Sequence, residues 1–273
     1  MLGGKNKQTR QPLGYTIVEV MIVLAVSGMM FIIAASFING KQERTAFTQS
    51  SNDMVSQLQN ISEDIIDGHY SDYPIGCTAT GTGNSASLSF PASASAQGTN
   101  QGCVFLGKIV HFYGSAGQAT DYNVFSLATA QSASGSISGA PVYAIPGLTT
   151  SDVLTQGLYI KSMSVQTGGS LYNTTAYNIG FAQGLGSLDS GDDTGGYVSG
   201  AQTINLVYTN GLDGTSSGNE ADITGSGSVQ SAQSATICVT DQTRYAQILI
   251  GTSSSNNNNP LSITAKQLGK TPC

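Results

Sequence analysis

Apolar residues form one uninterrupted stretch near the N-terminus, residues 20–38, and then give way to a periodic pattern. At 1.5 Å per residue, a helix over residues 15–38 spans roughly 30–36 Å, enough for the hydrocarbon core of a bilayer. In residues 41–67 apolar positions recur every three or four residues, which predicts an amphipathic helix with one buried stripe. The stripe consists of Phe47, Ser51, Met54, Leu58, Ile61 and Ile65. We therefore predict one continuous helix of about fifty residues that ends at Asp67 and Gly68.

The buried stripe has two interpretations. It packs on a sheet of the same chain, or it forms a coiled coil with a partner helix. The first is favoured because the stripe covers scarcely three heptads and carries Ser51 in its seam.

Beyond residue 70 the pattern predicts strands, because several short segments alternate apolar and polar residues. The predicted strands are residues 86–90, 104–113, 122–127, 158–165, 177–181, 203–208, 236–240, 245–250 and 261–264. Four residues, 241–244, separate two of them, which predicts a hairpin. Loops rich in Gly, Ser, Thr and Asn are predicted at residues 78–87, 91–101, 184–200, 211–228 and 251–259. The fold class is therefore α+β, with a long N-terminal helix packed by its C-terminal half on an antiparallel β-rich domain.

Composition favours an exported protein. Charged residues make up 10% of the chain, against about 25% in an average domain, so the surface must be rich in hydroxyl and amide groups. The formal net charge is −6, and it becomes −9 if residues 1–14 and their three basic residues are removed. A chain this acidic lacks the basic surface that nucleic acid requires, so direct nucleic-acid binding is not expected.

The first fourteen residues have the general form of an export signal, with Lys5, Lys7 and Arg10 and no acidic residue before the apolar run. An ordinary signal would be cut after the run, where residues 34–36 offer small side chains. A cut after residue 14 would instead leave the run on the mature protein. The carboxylate of Glu19 costs up to about 2.5–3.5 kcal/mol at the centre of a membrane helix and less near its end, so a partner is expected.

The segment Leu13-Gly14-Tyr15-Thr16-Ile17-Val18-Glu19, followed by the apolar run, resembles the class III signal of type IV pilins and pseudopilins. The resemblance implies that a prepilin peptidase recognises Gly14 and cuts before Tyr15, whose new amino group is then methylated. It also implies that Glu19 pairs with the Tyr15 amine of a neighbouring subunit during assembly.

The same resemblance implies an organisation and a location. Residues 1–14 are a leader, 15–40 a transmembrane and filament-core helix, 41–68 the amphipathic second half of the helix, and 69–273 a pilin-like globular head. The implied partners are the prepilin peptidase, other copies of the chain or related pilins, an inner-membrane assembly platform, and the lipid bilayer before assembly. The subunit would lie in the cytoplasmic membrane and then in an extracellular filament.

Filaments of this family serve adhesion, twitching motility or DNA uptake. A pseudopilin of type II secretion is the alternative within the family. Outside it, two alternatives remain: a membrane-anchored surface-binding protein that never polymerises, and an exported hydrolase.

The four cysteines admit three disulfide pairings. They form no C-x-x-C motif, and the chain has only two histidines, so it offers few ligands for a zinc site. Disulfides are favoured in an exported protein. We expect Cys77–Cys103 and Cys238–Cys273, which join neighbours in sequence; the second would return the C-terminal residue to a strand, as in many pilins. The alternative is that one or more cysteines stay reduced and buried.

Catalytic motifs are few. Residues 214–218 match G-x-S-x-G, with Ser216 as the formal nucleophile, but that motif needs a strand before it and a helix after it. His69 and His111 are candidate bases without an evident orienting partner in the sequence. We therefore predict no enzyme.

Two acidic segments are candidates for calcium: residues 189–193, and Asp213 together with Glu220 and Asp222. Neither matches the EF-hand pattern, so solvated loops are the preferred interpretation and no metal or cofactor is predicted. Asn60 and Asn173 begin glycosylation sequons, whose use depends on the producing cell.

Overall fold

A computed structural model describes residues 15–67, 76–81, 85–90, 103–115, 118–130, 141–167, 170–172, 177–183, 204–210, 212, 214–226, 228–251 and 261–273. The chain divides into two compact units, Met1–Ala46 and Phe47–Cys273. The boundary between them lies within the helix α1 (Ile17–Ile66).

The helix α1 contains 50 residues, which confirms the prediction of one long continuous helix. Thr16 directly precedes the first turn, and its hydroxyl oxygen accepts a hydrogen bond of 3.3 Å from the backbone N–H of Glu19. This bond satisfies one of the N–H groups that a helix start leaves without a partner. At the other end the Asp67 N–H donates to the Glu63 carbonyl, one residue beyond the end of α1. Gly68, the predicted stop, lies outside the described residues.

The described residues also form fifteen strands. These are β1 (Thr78–Thr80), β2 (Ser87–Ser89), β3 (Cys103–Tyr113), β4 (Asp121–Ala130), β5 (Pro141–Ala144), β6 (Thr150–Val153), β7 (Tyr159–Thr167), β8 (Ser170–Tyr172), β9 (Asn178–Gln183), β10 (Ile204–Thr209), β11 (Thr224–Ser226), β12 (Val229–Ala232), β13 (Ser234–Thr240), β14 (Tyr245–Gly251) and β15 (Ser262–Gly269).

The strands pair antiparallel in three sheets. The largest has eight strands in the order β11-β5-β4-β3-β9-β10-β12, with β6 also paired to β4. The second has five, in the order β15-β14-β13-β7-β8, and β1 pairs with β2. The predicted hairpin is confirmed as β13 and β14, whose register runs from Ser234↔Gly251 to Thr240↔Tyr245.

The predicted stripe of α1 packs on these sheets, because Phe47, Met54, Leu58 and Ile65 are all buried in one core with residues of both large sheets. Ser51 is fully buried in the stripe, and its hydroxyl donates to the Phe47 carbonyl at 2.8 Å, which satisfies the polar group locally. The interpretation as a packing face is therefore confirmed, since strands of its own chain occupy the stripe.

A second core covers the opposite side of the eight-stranded sheet. It contains Ile109 of β3 and Phe125 of β4, which pack with Leu212 and Ile223 from the segment that follows β10. This segment therefore lies against the sheet.

Each of the nine predicted strands overlaps a strand of the structure, but the pattern misses β1, β5, β6, β8, β11 and β12. Each of these six has only three or four residues, too few for an alternation to be recognised. Two loop predictions were wrong in part, because β1 lies within the loop predicted at residues 78–87 and β11 lies within the loop predicted at residues 211–228. Their pairing, Thr78 with Ser89 and Thr224 with Tyr143, depends on backbone groups that no apolar pattern announces.

Candidate functional site

The first half of α1 exposes its apolar side chains. The large apolar residues between Ile17 and Ile33 range from 47% exposed at Val20 to 79% at Ile17. Ser36 donates its hydroxyl to the Ile32 carbonyl at 2.9 Å, so this polar group is satisfied within the helix. By length and composition the helix is able to span a membrane, and a signal sequence near the N-terminus passes the same test.

Glu19 lies in the first turn of this apolar helix, where the partial positive charge of the helix start favours a carboxylate. Its side chain is exposed, and the residues that the structure describes give its carboxylate no ion pair. Tyr15 is 81% exposed, and Gly14 lies outside the described residues. The structure thus places an exposed carboxylate at the start of an apolar helix surface that no other part of the unit Met1–Ala46 described by the structure covers.

Three side-chain contacts hold the second half of α1 to the sheets. The Lys108 ammonium of β3 bonds the Asp64 carboxylate at 2.8 Å. The Gln183 amide of β9 donates to the Ile65 carbonyl at 2.8 Å, satisfying one of the carbonyls that a helix end leaves without a partner. The Tyr122 hydroxyl of β4 donates to the Gln57 side chain at 3.0 Å.

The Tyr122 hydroxyl oxygen also lies 3.2 Å from an Asp152 carboxylate oxygen, so its single O–H is shared between Gln57 and Asp152. Burial, followed by the charge of Asp152 and this hydrogen bond, raises the pKa of Tyr122 from 10.0 to about 12. The phenol therefore stays neutral and keeps donating at any physiological pH, so this link between α1, β4 and β6 does not titrate there.

Two candidates that the sequence treats separately, His111 and Ser216, are neighbours in space. His111 is fully buried in β3, and its Nε2 lies 2.9 Å from the Ser216 carbonyl oxygen. The Asn123 amide of β4 donates to the next carbonyl, that of Ser217, at 2.7 Å. The imidazole therefore bonds the backbone of the G-x-S-x-G segment.

The local structure around Ser216 also differs from a nucleophile elbow. The strand β10 ends at Thr209, and the next helical element is a short 3-10 turn, Glu220–Asp222. Asn178 fixes the start of the segment, because its amide accepts from the Thr209 N–H and donates to the Thr209 carbonyl, both at 2.8 Å. These contacts therefore hold the segment that contains Ser216 against the eight-stranded sheet.

The calcium candidates within the described residues accept hydrogen bonds from protein groups, Glu220 from a distant segment and Asp222 from its own turn. A carboxylate oxygen of Glu220 accepts from the Thr149 hydroxyl at 2.7 Å, and Asp222 accepts from the Asn219 N–H at 2.7 Å. Residues 189–193 and Asp213 lie outside the described residues. The part of the chain that the structure describes contains no group of three His, Cys, Asp or Glu side chains able to hold a metal ion.

Two other candidates, His69 and Asn173, also lie outside the described residues. Asn60 is exposed on α1.

Both disulfides join the pairs that the sequence favours. Cys77 and Cys103 have Cα atoms 6.2 Å apart and connect the chain before β1 to the start of β3. Cys238 and Cys273 have Cα atoms 5.9 Å apart and connect β13 to the C-terminal residue. The four cysteines are thus all oxidised in this structure.

The molecule therefore combines a helix whose first half exposes apolar side chains with a disulfide-bonded antiparallel β domain that holds the second half. Comparison of the chain with protein-family models, with curated proteins and with solved structures gives no match.

Proposed function

We propose that this chain is a subunit of a type IV pilus-like surface filament. It is made with a leader of residues 1–14, cut after Gly14, and assembled through the first half of α1. The observation that carries the proposal is the exposed Glu19 carboxylate, which lies at the start of an apolar helix surface and four residues after Tyr15 in the sequence.

The chemistry of Glu19 favours assembly over a simple anchor. Apolar side chains are covered equally well by lipid or by other helices, whereas a carboxylate in an apolar environment needs a cation. Cleavage before Tyr15 creates such a cation four residues away in sequence, on every copy. An ion pair between Glu19 of one copy and the Tyr15 amine of the next offsets the cost of desolvation and fixes the register of packing.

The second half of α1 supports the same proposal. Its contacts through Lys108, Gln183 and Tyr122 attach the β domain to the element that would form the filament core. The domain would then be displayed outside, for adhesion, twitching motility or DNA uptake. Within the same family, assembly as a type II secretion pseudopilin is the alternative.

The first experiment is intact-protein mass and N-terminal sequencing of protein recovered from cells. The expected chain begins at Tyr15 and carries one added methyl group. A chain that begins at Met1 would mean an anchored protein that does not polymerise. A chain that begins beyond Ala35 would mean an ordinary signal peptide and would exclude the filament.

The second experiment replaces Glu19 by Gln, which keeps the size of the side chain and removes its charge. Filament yield is expected to fall to background while cleavage before Tyr15 continues, because the peptidase acts before subunits pair. Glu43→Gln is the matched control, an exposed acid on the same helix beyond the apolar run, and should assemble normally. Normal filaments from the Glu19 variant would refute the assigned role.

A further inference from the structure

The charges of the unit Phe47–Cys273 are segregated. In residues 47–273 there are five basic and fourteen acidic residues. Four of the five basic residues lie in β7 or in residues 234–273, the part of the sequence that includes β13, β14 and β15: Lys161, Arg244, Lys266 and Lys270. These segments contain one acid, Asp241, which Arg244 bonds at 3.0 Å. The five-stranded sheet is therefore basic in a unit that is otherwise acidic.

The lysines lie on or beside the outer face of this sheet. In β14 the residues Ala246, Ile248 and Ile250 are buried in the core shared with α1, so the alternate residues Gln247 and Leu249 point to the opposite face. Lys266 stands opposite Gln247 in the register and is exposed on that face.

The other two lysines lie close to the same face. The Lys161 ammonium lies 4.8 Å from the centre of the Tyr245 ring. The disulfide to Cys238 returns the C-terminal residues, with exposed Lys270, to β13. Among the described residues neither Lys266 nor Lys270 has an ion pair.

The C-terminal end of α1 has the opposite charge, with more exposed acidic side chains than basic ones. Glu63 and Asp67 are both exposed and stand four residues apart, so like charges are neighbours on one face. They also lie where the partial negative charge of the helix end disfavours a carboxylate, and the last turn contains no basic residue. The neighbouring cation, Lys108, is bonded to Asp64. Two carboxylates thus stand where the local structure favours a cation.

The acidic end of α1 and the basic outer face of the five-stranded sheet both point away from the same core. The stripe of α1 and the inner face of the five-stranded sheet are buried together, so the exposed side of the helix and the outer face of the sheet point away from the core that they share. We propose that they bind each other between copies, with Glu63 and Asp67 of one subunit against Lys266 and Lys270 of the next. Because two different patches meet, the contact is head-to-tail and repeats, as an open filament requires. This inference rests on the proposed filament and names a contact between its globular units.

The test is a charge exchange in the full-length protein, with surface filaments sheared from cells and quantified. K266E/K270E and E63K/D67K are each expected to lower the yield roughly tenfold, since two attractive pairs become repulsive. The combined exchange should restore at least half of the original yield. K266R/K270R, which keeps both charges, is the matched control and should assemble normally.

Thermal unfolding of the unassembled protein distinguishes a loss of folding stability from a loss of the contact between subunits. E63K/D67K should raise its unfolding temperature, because lysines suit the end of a helix, while filament yield falls. An unchanged yield after either reversal, or no recovery in the combined variant, would overturn the inference.

If the unaltered chain forms no filaments, the proposed function fails and the contact is tested separately. Isotopically light and heavy copies of the full chain are mixed in membranes and joined with a carbodiimide, which links carboxylates to lysines in direct contact. A mixed-isotope peptide that joins residue 63 or 67 to residue 266 or 270 supports the inference. Its absence overturns it.

Discussion

Gly107 offers a sharp test of the packing at the centre of the eight-stranded sheet. It lies in β3, which pairs with β4 on one side and β9 on the other, and the register to β4 shifts between Phe105 and Gly107. A Cβ atom at this position would meet the carbonyl oxygen of Phe181 and lie 2.8 Å from the Cα atom of Ala182. Both are backbone atoms of β9, so Gly107→Ala forces two central strands apart.

The magnitude follows from two opposing terms. Replacing Gly by Ala in a compatible conformation stabilises a protein by about 0.4–1 kcal/mol, through the lower entropy of the unfolded chain. Overpacking costs about 1–3 kcal/mol, and a ladder hydrogen bond that is stretched or lost adds about 1 kcal/mol. We therefore expect Gly107→Ala to lower the free energy of unfolding by about 1–3 kcal/mol.

The assay is urea denaturation of the full-length protein in detergent, followed by circular dichroism because the chain contains no tryptophan. Gly251→Ala is the control, since a Cβ atom there would lie 3.7 Å from the nearest atom, Cβ of Ser234, an ordinary contact. It should be neutral or slightly stabilising. Equal urea midpoints for Gly107→Ala and the wild type, or an equal loss in both variants, would refute the reasoning.

Three further predictions concern cross-links and titration. Cys238→Ala with Cys273→Ser should lower the free energy of unfolding by about 3.8 kcal/mol in the loop-entropy model for a separation of 35 residues, measured by the same denaturation. Burial acts to raise the pKa of Asp241, but hydrogen bonds from Thr243 and Arg244 and the Arg244 charge outweigh it and lower the pKa below 3.8. Stability from this group is therefore present above pH 3.8 and lost as pH falls through the folded pKa, and Asp241→Asn should flatten the acid side of a stability profile. The Tyr122 pKa of about 12 implies that stability falls between pH 10 and about 12, and Tyr122→Phe should remove that fall.

The long helix was predictable because its signal is local and repeated many times. The apolar run and the three-and-four spacing together define about fifty residues, and the structure has α1 over Ile17–Ile66. The strand β13 was predictable for the same reason, since its residues alternate in polarity, and β3 was predictable from its many β-branched and aromatic residues. Short strands such as β6 (Thr150–Val153), in which every side chain is exposed, carry no such signal.

The contacts that position the elements were not predictable, because they join residues far apart in the chain. Gln183 bonds Ile65 across 118 residues, and His111 bonds Ser216 across 105. The sequence identified His111 and Ser216 one by one from their chemistry, but neither periodicity nor spacing brings them together. It also gave no sign that the imidazole would bond a backbone carbonyl.

The two halves of α1 differ in whether their apolar side chains are buried, although they form one helix. In the second half the stripe is covered by strands of its own chain, whereas thirteen large apolar residues between Ile17 and Ile33 are exposed. Covering such side chains contributes about 1.5–3 kcal/mol each, so the total is tens of kcal/mol, more than the about 5–15 kcal/mol that holds a domain folded. A lipid bilayer would cover these apolar side chains but would offer no cation to a carboxylate. In the filament that we propose, a second copy with a free Tyr15 amine would supply both the apolar cover and a cation for the Glu19 carboxylate.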